Sequence, residues 1–130
     1  MIRRLDHVGL MVADMDAALA WYLDVLGCTV TDAWADDASG MRWAHVAWGE
    51  VPIELVFRPG LEVRPAASAG YHHIAVQVDD CAATVAELRS RGVTVVLPPS
   101  HFERHDMDWA FVADPSGNVL EILSYRAAGR

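Results

Sequence analysis

The amino-acid sequence predicts an α+β chain in which one β-α-β-β-β module occurs twice, the two forming a curved mixed sheet around a concave site. Three observations carry that expectation. Asp6 to Val12 repeats as His72 to Val78, and Met41 to Ala47 repeats as Met107 to Ala113, both at an offset of 66 residues. Five of the seven positions in the second pair are identical. Apolar residues also alternate along short runs bounded by Asp, Gly and Pro, which is the period of strands. Self-similarity at a fixed period means one supersecondary unit used more than once.

The elements follow in order. Residues 5–12 alternate and are rich in Val and Leu, so they form the first strand. Asp14 is a suitable N-cap, and Leu19, Tyr22, Leu23 and Leu26 make one apolar helical stripe. Gly27 stops that helix. Residues 28–33, 42–48 and 52–57 are the remaining strands, the last two joined by a turn at Gly49-Glu50. The second module repeats this with a strand at 72–78, a helix from Asp80 to Arg91, and strands at 93–97, 108–113 and 118–124. Asp114-Pro115-Ser116-Gly117 has the residues of a tight turn. Module 1 is thus about residues 1–58, a Pro- and Gly-marked linker spans 59–70, and module 2 is about 71–126, all within one domain.

Composition narrows the function. The 130 residues are 53% hydrophobic, enough for a core without disulfides. The net charge of −8 disfavours nucleic acid and anionic membrane surfaces, leaving a small molecule or another protein as partner. Cys28 and Cys81 form no C-x-x-C pattern and are expected to be reduced thiols in a cytoplasmic protein. The short apolar run before Asp14 is too brief for a signal peptide or a membrane span.

Strand alternation sorts the side chains. Val8, Leu10 and Val12 belong under the helix, so His7, Gly9 and Met11 face the concavity. Ile53, Leu55 and Phe57 likewise leave Glu54 inside. In module 2, Ile74, Val76 and Val78 leave His73, Ala75 and Gln77 inside, and Leu120 and Ile122 leave Glu121 inside. His72 points to the helix side on this scheme. Two imidazoles and two carboxylates therefore occupy repeat-equivalent inward positions. Carboxylates in a cleft are costly unless compensated, and a divalent cation compensates them. His7, Glu54, His73 and Glu121 suit Zn, Ni, Co, Mn or Fe and leave positions open in an octahedral shell.

At these residues the sequence resembles the vicinal-oxygen-chelate superfamily, which includes glyoxalase I, methylmalonyl-CoA epimerase, extradiol dioxygenases, fosfomycin-resistance enzymes and bleomycin-binding proteins. The resemblance rests on Asp6-His7-Val8-Gly9, on Trp21-Tyr22-Leu23-Asp24-Val25-Leu26-Gly27 and on Ile53-Glu54-Leu55 in module 1. In module 2 it rests on His72-His73-Ile74-Ala75, on Val78-Asp79-Asp80 and on the run from Asp114 to Ile122. It implies paired β-α-β-β-β modules with ligands on the first and fourth strand of each, a glyoxalase I-like ligand set, and a homodimer. The pattern departs at Met11, where glyoxalase I has an Arg that holds glutathione. Met11 argues against glutathione as the thiol partner.

The chemistry implied is a lyase or isomerase that moves a proton next to a metal-chelated carbonyl. Glu121 is the first choice of base and Glu54 its pseudo-symmetric second. Trp43, His45 and Ala47, and in module 2 Trp109 and Phe111, face inward on the third strands and suit an apolar or aromatic substrate. With Met11 and Gln77 they are the candidate substrate contacts. His45 breaks the pseudo-symmetry, because its equivalent is Phe111, and is a candidate acid/base. The polar segments His101 to Asp106 and Trp34 with Asp36 and Asp37 are read as equivalent loops. Two alternatives remain. One is an Fe(II) dioxygenase using His7, His73 and Glu121. The other is a metal-free binder of aromatic compounds, of the bleomycin-resistance type.

Overall fold

A computed structural model describes residues 1, 3–61 and 71–126. The chain divides into two compact units, Met1–Ser68 and Ala69–Arg130. Most of the expected linker lies outside the described residues.

In module 1, strand β1 (Val8–Val12) is followed by helix α1 (Met15–Ala20), then β2 (Thr29–Asp36), β3 (Met41–Ala47) and β4 (Ile53–Phe57). The sheet order is β1-β4-β3-β2, with β1 and β4 parallel and the other pairs antiparallel. Asp14 accepts a hydrogen bond from the Ala17 N–H at 3.0 Å and caps α1 as expected. The helix then widens into a π-helical stretch, Trp21–Val25, where the Leu26 N–H reaches back to the Trp21 carbonyl. That widening moves the buried stripe. Met15, Ala18, Trp21 and Tyr22 are buried, whereas Leu19, Leu23 and Leu26 are only half-buried. Of the expected stripe only Tyr22 is fully buried; the extra residue in the turn rotates the later positions Leu23 and Leu26, while Leu19, which precedes it, is half-buried as well. Gly27 then takes a positive φ of 69°, as a helix stop requires.

Module 2 repeats the plan with β5 (His73–Gln77), α2 (Cys81–Ser90), β6 (Thr94–Phe102), β7 (Met107–Ala113) and β8 (Val119–Tyr125), in the order β5-β8-β7-β6. Asp80 caps α2 through the Ala83 N–H at 2.9 Å, and Gly92 ends it at φ 83°.

Both sheets bury one face under their own helix. Ala44, Val46, Ile53 and Leu55 are buried in module 1, and Ala110, Val112, Leu120 and Ile122 in module 2. The positions between them, Trp43, His45 and Glu54, and Trp109, Phe111 and Glu121, are half-buried. Ala47 departs from the expected alternation and is buried at 6% exposure, at the end of β3 beyond the last paired residue with β4.

Three differences from the expected boundaries are larger or touch a candidate residue. β1 starts at Val8, so His7 precedes the strand. β2 and β6 run on to Asp36 and Phe102, so Trp34, His101 and Phe102 belong to strands and not to loops. Pairing with β3 and β7 stabilises these polar stretches: Trp34 sits opposite Trp43, and His101 opposite Asp108. The His101 Nδ1–H donates to the Asp108 carboxylate at 2.9 Å, and Arg126 donates to the same carboxylate through two contacts of 2.8 and 3.1 Å. Arg126 first, and His101 second, keep the Asp108 carboxyl below its ordinary range.

Both cysteines are free and buried. Cys28 is 4% exposed and Cys81 is 1% exposed, and burial pushes each thiol from 9.0 up to about 11. The nucleophile is the thiolate, so at pH 8 neither should react with iodoacetamide at the rate of an exposed thiol. Denaturant should release both. Folding favours the protonated thiols, and that contribution is complete below about pH 9 and lost as pH rises through about 11. Mass spectrometry showing rapid double alkylation of the native protein at pH 8 would contradict this burial.

Candidate metal centre

In module 1 the strand register places three donor residues together. β4 lies centrally, with Glu54 paired to Gly9 on one side and to His45 on the other. His7 stands two residues before Gly9. The His45 Nε2 lies 2.8 Å from Glu54 Oε2, and the His7 Nε2 lies 3.8 Å from the same oxygen. One ligand atom from each of His7, His45 and Glu54 can be chosen so that all lie within 4.8 Å of one another. The Asp6 carboxylate meets His7 Nδ1 at 2.9 Å, which leaves Nε2 facing Glu54. Asp6 raises the His7 pKa, with a smaller contribution from Glu54, and His7 in turn lowers that of Asp6.

Module 2 builds the same pair from the same register. Glu121 pairs with Ala75 on β5 and with Phe111 on β7. His73 Nε2 lies 3.0 Å from Glu121 Oε2. Here the neighbouring ring is a phenyl: Phe111 packs at 5.1 Å from His73 and 5.3 Å from Trp109.

His72 is not on the helix side. It is exposed, its Nδ1 meets His73 Nδ1 at 2.8 Å, and its ring lies 5.7 Å from Phe111. Alternation does not govern it, because β5 begins only at His73. Asp6 and His72, which are repeat equivalents, therefore do the same thing. Each engages Nδ1 of the histidine that follows and leaves Nε2 for the carboxylate. Partners of this kind set the ring orientation and tautomer of a metal-binding imidazole. The donor set thus fits a divalent ion in its chemistry: in each module an imidazole, oriented through Nδ1, presents Nε2 to a half-buried carboxylate.

Not every candidate joins these clusters. Met11 is 39% exposed and Gln77 is exposed; they pair with Val56 and Leu123, further along β4 and β8. Trp43 stacks on Trp34 at 5.7 Å with the planes 7° apart, and Trp34 also meets His45 edge-on at 5.3 Å. Trp34 is a wall residue that loop composition concealed; its alternation with Asp32 and Asp36 was the available signal. These two Trp residues, with Arg42, Met15 and Leu19, also line a cleft of about 240 Å³. None of the three donor residues lines that cleft.

Comparison with known proteins identifies the family. The family model of the Glyoxalase/Bleomycin resistance protein/Dioxygenase superfamily matches residues 4–122, and the chain belongs to that superfamily. Among individual relatives, it is 31% identical to the lactoylglutathione lyase of Salmonella typhimurium over 131 aligned positions, covering 98% of this chain and 96% of that protein. It is 28% identical to the mitochondrial methylmalonyl-CoA epimerase of Mus musculus, covering 92% of this chain and 71% of that one. Among solved structures, the trypanothione-dependent glyoxalase I of Leishmania major superposes with a TM-score of 0.77 at 28% identity, covering 95% of this chain and 87% of the other. Among the described residues, no helix is long and apolar enough to cross a membrane.

Proposed function

We propose that this chain is a divalent-metal-dependent lyase or isomerase of the glyoxalase type, acting on a small carbonyl compound. The observation that carries the reading is the repeated His–Glu pair, His7 with Glu54 and His73 with Glu121, each at the same register in its own module. His7, Glu54, His73 and Glu121 are the proposed protein ligands. A bound Zn, Ni, Co, Mn or Fe ion would supply Lewis-acid polarisation of the substrate's oxygens.

The chain's own residues divide the remaining work. In an α-hydroxy-carbonyl thioadduct Glu121 takes the proton from the hydroxyl-bearing carbon and returns it to the adjacent carbonyl carbon, while the hydroxyl proton passes to the former carbonyl oxygen; in a thioester it takes the α-proton and returns it to the same carbon. Its side chain is 13% exposed and faces the Phe111 ring, so water is largely excluded from the transfer. Glu54 has two imidazole nitrogens beside it, at 2.8 and 3.8 Å, where Glu121 has one at 3.0 Å, which makes Glu54 the less available base. Trp109 and Phe111 in one module, and Trp43 in the other, offer apolar surface to the substrate. Met11 stands where an Arg would bind glutathione, so a thiol adduct of another type, or a thioester, is the proposed substrate class. By family resemblance the chain is also proposed to act as a homodimer.

The test is metal removal. Chelation followed by gel filtration should abolish turnover of α-hydroxy-carbonyl thioadducts or thioesters. Readdition of one of the five ions should restore it. Turnover that survives complete chelation would end this reading.

A further inference from the structure

We propose that His45 is itself a metal donor, so that module 1 holds a divalent ion through His7, His45 and Glu54. The proposal rests on the divalent-ion reading above and adds to it a donor that the module repeat does not contain.

Geometry comes first. Two donors each about 2.1 Å from a common ion lie roughly 3–4 Å apart. The two imidazole Nε2 atoms lie 2.8 and 3.8 Å from the shared Glu54 oxygen, and the three donors fit within 4.8 Å. These distances bracket what a single ion requires. The donors come from the residue just before β1, from β3 and from β4, and β4 is hydrogen-bonded on both sides. The strand ladders therefore restrain the backbones of His45 and Glu54 directly, and that of His7 through Val8, the next residue.

The repeat supplies the second argument. The position of His45 is filled in module 2 by Phe111, directly across from Glu121 as His45 is across from Glu54. The fold thus accepts an apolar ring at this place and does not itself require an imidazole. What the imidazole adds is a donor atom beside a carboxylate that is only 19% exposed. Trp34 packs edge-on against the His45 ring and limits its rotation away from Glu54. Two imidazoles and one carboxylate converging from one sheet face form a set that binds first-row divalent ions while leaving positions open for substrate oxygens. Module 1 should consequently keep an ion that module 2's pair cannot keep by itself.

The experiment loads the full chain with Co(II), removes excess by desalting, and reads bound cobalt by elemental mass spectrometry together with its visible absorption. The His73→Ala/Glu121→Ala double variant should retain close to one ion per chain. Adding His45→Phe to it should weaken binding at least about tenfold, the lower end of what loss of a ligand's partner causes. His45→Phe installs the ring that Phe111 already provides in the repeat, and its melting curve should stay close to that of the parent. His45→Gln keeps a hydrogen bond to Glu54 but is a poorer donor, and should lose cobalt as Phe does.

Four results would overturn the proposal. Cobalt binding unchanged by His45→Phe would leave the four-ligand reading standing without it. Retention with Gln and loss with Phe would mark His45 as a hydrogen-bonding partner and no donor. Loss of all cobalt from the double variant would show that module 1 does not hold the ion. A parent protein that takes up no cobalt would remove this proposal, and one that takes up none of the five ions would remove the functional reading with it.

Discussion

Glu121→Gln should lower kcat by about 100-fold to 10,000-fold while the fold survives, the range expected when a positioned proton-transfer group is removed. The substitution is nearly isosteric. Gln keeps the size and a carbonyl oxygen facing His73 but cannot accept a proton at neutral pH. The half-buried position of Glu121, between β5 and β7 and against Phe111, makes the change a local one. Saturating ion must be present in the assay, so that weakened metal binding is not mistaken for lost proton transfer. Glu54→Gln, measured alongside, should lower kcat less, because Glu54 is held by His45. A Glu121→Gln protein with parental kcat would shift the proton transfer to Glu54 or away from the glutamates altogether.

Leu120→Ala should destabilise the protein by about 2–5 kcal/mol, the usual cost of emptying a fully buried leucine site. Leu120 is 0% exposed and sits on the central strand of its sheet, paired with Ile74 and Val112. Its neighbours on three strands are restrained by hydrogen-bonded ladders and cannot collapse freely into the space. For a chain of this size each kcal/mol corresponds to roughly 3–5 °C in melting temperature. Thr94→Ala, at an exposed position of the edge strand, should stay within about 0.5 kcal/mol of the parent. Thermal unfolding followed by circular dichroism separates the two. An equal, small shift for both would contradict the placement of the module 2 core.

The strand plan was readable because β3, β4, β7 and β8 each bury one face and leave the other half-exposed, whereas β2 and β6 are exposed along nearly all their length. Ile53-Glu54-Leu55 and Leu120-Glu121-Ile122 record that asymmetry directly, and the repeat reported it twice. The helix caps were equally legible, since Asp14 and Asp80 each need only a local contact with an N–H three residues on. What escaped reading depended on non-local partners or on irregular backbone. The π-helical widening after Ala20 has no marker in the side chains of Trp21 to Val25, and it displaced the expected apolar stripe. His72 was misassigned because alternation was carried one residue past the true strand end. The Asp-rich surroundings of Trp34 and His101 resemble solvated turns, while cross-strand pairing to Trp43 and Asp108 makes them strand. The pairing of His45 with Glu54 lay between these cases. The alternation put both on one face, and only the register showed that they are directly opposed.

The central claim is that the two His–Glu pairs exist to hold a divalent ion, and metal content tests it most directly. The protein should be purified without chelator or affinity metal and analysed by elemental mass spectrometry. The account predicts close to one Zn, Ni, Co, Mn or Fe per chain, or its recovery after dialysis against the ion. A protein that carries none of these and takes up none on dialysis would contradict the account.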